Sequence, residues 1–333
     1  MKSRRKPLSP RVMFETQPAA RPQALDDRTA RAAAPPLPEW AAALFEHVAP
    51  TGLTTGNTKV RKARAEELLL ATVVVQDAVS LSAAEFRAAT AAAYHELLDA
   101  VGLDSSPVRL WNYIPGILAP LGSHPHRYMA FNAGRHDAYE RRYGSRQSFP
   151  EMLATASGIG HQGADLVIHA LAAAMPGIAI ENPRQIPAYL YSRRYGPLPP
   201  CFARATLLAR PRQDTRYWLL VGGTSSVFGE DSAHHGDLAS QARETLHNLE
   251  ALLGRSLEIG AQIAGTAPSG SEQESTTFAR FRHLRVYFPS RVERAEVAAM
   301  VEPRFSQLDS LEYVVADLCR PELLIEIEGL AEV

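Results

Sequence analysis

Glu326 and Glu328 stand two residues apart in the strand-like run LLIEIEGL, residues 323–330. Side chains alternate across a strand, so both carboxyls share one face while Ile325 and Ile327 take the other. Such a face either meets water or lines a cleft, where one glutamate acts as an acid or base. A thiol, Cys319, lies seven residues upstream of Glu326 in the run Asp317-Leu318-Cys319-Arg320. Two arginine-centred segments could hold an anionic substrate against such a carboxyl. In the first, Tyr128 and Arg135 are seven apart, two turns along a helical face shared with Phe131 and Ala138. In the second, Tyr191 and Arg204 flank a Pro-rich connector, with Arg204 at the entry of an apolar strand. An arginine there needs an anionic partner, and Glu328 or a ligand carboxylate serves equally.

Other chemistries have weaker grounds. Gly158, Gly160 and Gly163 match the glycine spacing of a dinucleotide fingerprint, but several elements precede them. The nearest acid, Glu181, adjoins Asn182-Pro183 in a loop, so the expectation is a tight glycine turn between two strands. The 11 histidines form no helical pair with a third ligand, and neither cysteine sits in a CxxC, so no metal is expected. Lysine occurs only at positions 2, 6, 59 and 62, which excludes a P-loop or Schiff-base lysine from the body of the fold. Residues 222–226, GGTSS, could offer N–H groups to an anion, with a turn as the default.

The elements that must position these groups fall into two similar series. Residues 68–76 (LLLATVVVQ) have a buried-strand pattern, and Ser82 to Glu85 is a capping box opening a helix. Phe86, Thr90, Ala93, Leu97 and Val101 share one face of that helix, which Gly102 stops. A strand at 108–114, a helix at 127–143 ended by Gly144, and strands at 153–157 and 165–172 follow. The second series has a strand at 217–222 and a helix at 237–253 stopped by Gly254. A strand at 284–288, a helix opened by a capping box at 290–293, and strands at 311–316 and 323–330 complete it. Two β-α-β-α-β-β units in succession predict a duplicated α+β fold. Residues 186–200 read as the connector, where clefts form.

With 333 residues, 46% hydrophobic, the chain can bury a large core, and a net charge of −1 leaves no global field for nucleic acid or anionic membrane. Two cysteines are too few for a disulfide framework and fit a reducing cytoplasm. The basic start lacks the apolar core of a signal peptide, and no uncharged stretch is long enough to span a membrane. A soluble cytoplasmic protein is expected. Its oligomeric state is left open.

Seven segments in order, RYMAFNAGR (127–135), SGIG (157–160), ENPRQ (181–185), PPCFARAT (199–206), VGGT (221–224), ETLHNL (244–249) and IEIEG (325–329), resemble the chorismatases, including the 3-hydroxybenzoate synthases. The similarity runs from about residue 60 to the C-terminus; the leading arm and the 268–278 loop carry no such signal. The resemblance implies two tandem YjgF/Rid-like β-α-β-α-β-β domains, expected at 46–180 and 181–333, after a largely irregular arm at 1–45. It implies cleavage of chorismate to pyruvate and 3-hydroxybenzoate with no metal or organic cofactor. Glu326 would be the catalytic acid, and Tyr128, Arg135, Tyr191 and Arg204 would hold the substrate. Cys319 would favour the aromatising branch over a hydrolytic one that yields a dihydroxycyclohexadiene carboxylate; a related group forms 4-hydroxybenzoate as well. The rivals are a non-catalytic Rid-like module binding a small carboxylate and a nicotinamide-dependent oxidoreductase.

Overall fold

The computed structural model of the chain describes residues 33–144, 149–210, 217–265 and 278–333. Residues 1–32 of the expected arm and 268–277 of the loop without signal lie outside that description. The rest of the arm carries a short helix, α1 (Glu39–Ala43), which buries Ala41, and Phe45 just after it also enters the core.

The first half contains β1 (Thr51–Thr55), β2 (Thr58–Ala65), β3 (Leu68–Val75), α2 (Ala83–Val101), β4 (Ser106–Pro115), α3 (Arg127–Tyr143), α4 (Phe149–Met152), β5 (Thr155–His161) and β6 (Leu166–Ala173). The second contains β7 (Ile178–Ile180), β8 (Ala205–Ala209), β9 (Tyr217–Ser225), β10 (Val227–Phe228), β11 (Asp231–Ser232), α5 (Leu238–Ala264), β12 (Phe281–Phe288), α6 (Arg294–Val301), β13 (Ser310–Val315) and β14 (Glu326–Glu332). The strand orders are β1-β2-β3-β6-β4-β5 and β13-β12-β14-β9-β8-β7. Read from opposite ends, the two sheets have the same wiring. In each, the last strand inserts antiparallel beside the third, and the strands flanking the second crossover pair in parallel. This is the duplicated α+β, YjgF-like architecture expected.

Away from the exposed edge strand β1, each sheet has apolar cover on both faces. One apolar cluster joins the first sheet to α2 and α3, another joins the second sheet to α5 and α6, and a third lies where the two sheets face each other. Trp111, Tyr113, Leu171, Leu220, Tyr287 and Leu330 fill that inter-sheet layer. Most side chains of β4 and β14 that point inward therefore meet protein.

Several local expectations hold and several do not. The Ser82–Glu85 capping box forms in full, and Phe86, Thr90, Ala93, Leu97 and Val101 are all buried before Gly102 ends α2. Residues 290–293, by contrast, form no capping box: Ser290 to Val292 make a turn, and α6 starts at Arg294 after Glu293 without a side-chain cap. Gly254 does not stop α5. Leu249, Leu252, Leu253, Ser256 and Gly260 continue a buried stripe past it, and packing outweighs the roughly 1 kcal/mol that a mid-helix glycine costs. Gly265, at φ +65°, is the actual stop. Two strands precede each expected unit; β1 and β2 were missed because their charged and Thr-rich residues stay exposed or half-buried and present no apolar run. β5 runs to His161, so Gly158 and Gly160 lie inside a strand rather than in a turn, and no fingerprint helix follows because 166–173 is β6. Glycines 222 and 223 likewise lie within β9 rather than in a turn. No helix among the described residues is long and apolar enough to cross a membrane.

Candidate active site

Glu326 opens β14, beside Ser225 of β9 on one edge and Tyr287 of β12 on the other. As alternation predicts, Ile325 and Ile327 enter the outer core of the second sheet, while Glu326 and Glu328 turn toward the first sheet. The pair is not a solvated acidic face: Glu326 is 3% exposed and Glu328 2%.

The two carboxyls have opposite surroundings. Glu328 accepts hydrogen bonds from Arg109 Nη2 at 2.6 Å, Ser157 Oγ at 2.5 Å, Trp111 Nε1 at 3.0 Å and Tyr287 OH at 3.0 Å. Glu326 has no hydrogen bond or ion pair among the described residues and borders a cavity of about 210 Å³. Burial, with Glu328 as the next contributor, pushes the Glu326 carboxyl up to about 8; Arg109, Arg204 and Arg320 offset part of that rise. At neutral pH it is a neutral acid holding a proton.

Space for that carboxyl is made by Gly223. A Cβ added there would lie 1.9 Å from Glu326 Oε1, so any side chain at this register position of β9 would displace the carboxyl.

All six residues singled out from sequence line this one cavity: Glu326, Cys319, Tyr128, Arg135, Tyr191 and Arg204. They come from the start of β14, the β13–β14 loop, α3, the connector and the entry of β8. Arg135 is 1% exposed, donates from Nη2 to Asn132 Oδ1 at 2.9 Å, and keeps a buried Nε with no partner. Arg204 donates from Nη2 to Tyr191 OH at 2.6 Å and to the Ile186 carbonyl at 3.1 Å, and its buried Nε also lacks a partner. Phe202 lies between them, its ring 5.7 Å from the Arg135 guanidinium and 5.2 Å from that of Arg204. Among the described residues no carboxylate pairs with either arginine. Glu328, one of the two partners open to Arg204 in the sequence, is occupied by Arg109 instead. The cavity thus offers two buried guanidinium groups to an anion.

Cys319 is half-buried, and burial together with Glu326 pushes its thiol up to about 12, so it is a neutral thiol rather than a thiolate nucleophile. Burial likewise holds the Tyr128 phenol above its ordinary range, as a neutral hydroxyl stacked beside Phe131 at 6.2 Å.

The sequence reading gave no role to Arg320, Ser157 or Phe202, which also line the cavity, and weighed Gly223 only as an N–H donor to an anion. Arg320 donates from Nη1 to the Glu230 carbonyl and to Ser232 Oγ, and stacks 4.0 Å from the Tyr195 ring centre. Its only signal in the sequence is adjacency to Cys319. Among the described residues no cluster of three or more His, Cys, Asp or Glu side chains could hold a metal ion.

Comparison with known proteins bears on this cavity. The family description "Chorismatase FkbO/Hyg5-like, N-terminal" matches residues 47–172. A 3-hydroxybenzoate synthase of Streptomyces hygroscopicus is 36% identical over 73% of this chain and 68% of its own length. A chorismatase of Streptomyces rapamycinicus is 33% identical over 74% of this chain and 70% of its own. The crystal structure of a chorismatase superposes with a TM-score of 0.70 at 28% identity, covering 85% of this chain and 80% of that one. Sequence identity sustained over most of both partners, on a shared two-sheet architecture, establishes that the chain belongs to the chorismatase family.

Proposed function

We propose that the chain cleaves chorismate to pyruvate and 3-hydroxybenzoate, with Glu326 as the proton donor. The observation that carries this reading is a neutral, buried carboxyl facing a cavity that also presents two guanidinium groups without carboxylate partners. Chorismate carries one carboxylate on its ring and one on its enolpyruvyl side chain. Arg135 and Arg204, helped by the hydroxyls of Tyr128 and Tyr191, clamp these two anions. The clamp brings the enol ether to Glu326.

Cleavage begins with transfer of the Glu326 proton to the methylene carbon, which turns the enol ether into an oxocarbenium centre and leaves Glu326 as a carboxylate. In the aromatising branch the neighbouring ring hydroxyl oxygen displaces the ether oxygen, which departs as the ketone of pyruvate. The hydroxyl proton returns to Glu326. The resulting arene oxide opens and loses a ring hydrogen to give 3-hydroxybenzoate, so no water is consumed. In the hydrolytic branch water supplies the second oxygen. Cys319 favours the first branch because a neutral thiol beside Glu326 occupies space that an attacking water needs.

The test is a chromatogram of chorismate incubated with the purified protein. Pyruvate and 3-hydroxybenzoate in equal amounts are expected, with loss of both in Glu326→Gln. Absence of pyruvate rejects the reading, and a dihydrodiol as main product moves the chain to the hydrolytic branch.

A further inference from the structure

Glu328 takes no part in the proton transfer described above, although it shares a strand face with Glu326. Four donors converge on it from three strands: Arg109 and Trp111 on β4, Ser157 on β5 and Tyr287 on β12. A carboxyl that only accepts, and accepts from a guanidinium, is bound as an anion. Ser157 extends the network. Its single hydroxyl proton goes to Glu328, while its oxygen accepts from Arg109 Nη2 at 2.6 Å and from the Gly223 N–H at 3.0 Å. That uses the full bonding capacity of a hydroxyl, so its orientation is fixed. Gly223 is in turn the residue whose missing side chain makes room for Glu326. A chain of contacts therefore runs from Glu328 through Ser157 and Gly223 to the proton donor.

We infer that Glu328 is a positioning residue for this acid: a fixed buried anion, tied through Ser157 to Gly223, that holds the Glu326 carboxyl in its protonated form and in its place. The inference rests on the reading of Glu326 as the acid.

The charges around the two groups support this assignment. Glu326 is faced by Glu328 from its own strand, Arg109 from β4, Arg204 from the entry of β8, Cys319 and Arg320 from the β13–β14 loop, and Tyr128 from α3. Glu328 is faced by Arg109 and Tyr113 from β4 and by Arg285 and Tyr287 from β12. Three arginines favour the ionised form of Glu326. Glu328 opposes them and acts more strongly than any one of the three, second only to burial. Without its charge the arginines would face only desolvation.

Glu328→Gln keeps the shape and an acceptor and removes the charge. The midpoint of Glu326 titration, read by infrared spectroscopy as loss of its protonated C=O band, should move down by on the order of one pH unit. Turnover of chorismate at pH 8 should fall about fivefold and recover as the pH is lowered by the same interval. Ser157→Ala, which keeps the charge and cuts the tether, should lower turnover without moving the midpoint. An unchanged midpoint in Glu328→Gln overturns the inference. Should that variant fail to fold, the charge state is read in a Glu181→Gln background, because burial also pushes Glu181 up to about 7. There a single protonated buried carboxyl is expected at pH 7, lost on adding Glu326→Gln; a band that survives means Glu328 is protonated and overturns the inference. The infrared readings need no substrate. Failure of the chorismate assay with the midpoint shift intact rejects the reaction and leaves the coupling standing.

Discussion

Strands β6 and β14 occupy the same slot in the two sheets, each inserted antiparallel between two neighbours and each facing the inter-sheet layer. In β6 that face carries Leu171 and Ala173, packed against the opposite sheet, and His169, which shares a hydrogen bond at 2.8 Å with Thr72. Burial drives the His169 imidazole down to about 4, so it is neutral. In β14 the same face carries Glu326 and Glu328, followed by Leu330. One strand spends this face on apolar burial, the other on two carboxyls that burial disfavours. Duplication supplies two equivalent frames, so the second can tolerate a costly site while the first supplies cohesion. The site follows the asymmetry: α3 of the first half, the connector and the entry of β8 bring the arginines and tyrosines to the carboxyls of β14.

The largest effect expected from this contrast is in Glu326→Gln. Turnover should fall by roughly 10²–10⁴, the usual contribution of a general acid. Stability should move the other way. The folded Glu326 keeps its proton up to about 8, whereas an unfolded glutamate releases it near about 4.3. The wild-type protein therefore has the full stability contribution of this group below about pH 4.3 and loses roughly 1.4 kcal/mol per pH unit as the pH rises through that window toward 8. Urea melts at pH 4 and pH 7.5 check the sign: the variant should gain on the wild type by a few kcal/mol at the higher pH and be level with it at the lower. A variant no more stable than wild type at pH 7.5 would break the idea that β14 is a stability cost.

Next in size is Gly223→Ala. The new methyl overlaps Glu326 Oε1, so the carboxyl must move, and a displacement of about 1 Å costs on the order of 10²-fold in turnover. Steady-state kinetics should place the loss in kcat rather than KM.

Leu171→Ala tests the other strand. Leu171 is fully buried, and its truncation should cost about 2–5 kcal/mol in denaturant unfolding while leaving turnover per folded molecule unchanged. A large loss of turnover in the folded protein would mean that β6 serves the site directly.

The smallest change in rate is expected for Cys319→Ala. Chorismate should disappear within a few-fold of the wild-type rate, but the products should shift toward the dihydrodiol as water gains access beside Glu326. An unchanged product chromatogram removes Cys319 from the choice of branch.

Much of this was legible in the chain because the signals are local. Alternation in IEIE put two carboxyls on one face, Ser82 and Glu85 announced α2, and the spacing of Tyr128 and Arg135 put them on one side of α3. Elements whose local pattern is absent or misleading were not legible. β1 and β2 have no apolar run, residues 290–293 have the composition of a capping box but are held in a turn, and α5 passes Gly254 because its buried stripe continues.

The sequence by itself determined the duplicated order of strands and helices, the shared face of Glu326 and Glu328, and the family through its spaced segments. These depend on backbone periodicity and near neighbours. Only the tertiary structure decided which glutamate is bonded and which is left free to face the cavity. Arg109, 219 positions from Glu328, together with Ser157, Trp111 and Tyr287, satisfies one carboxyl. The other is left unpaired at a cavity wall. Two residues of the same type, two positions apart, diverge in their surroundings because desolvation and hydrogen-bond supply are set by what the fold brings from far along the chain.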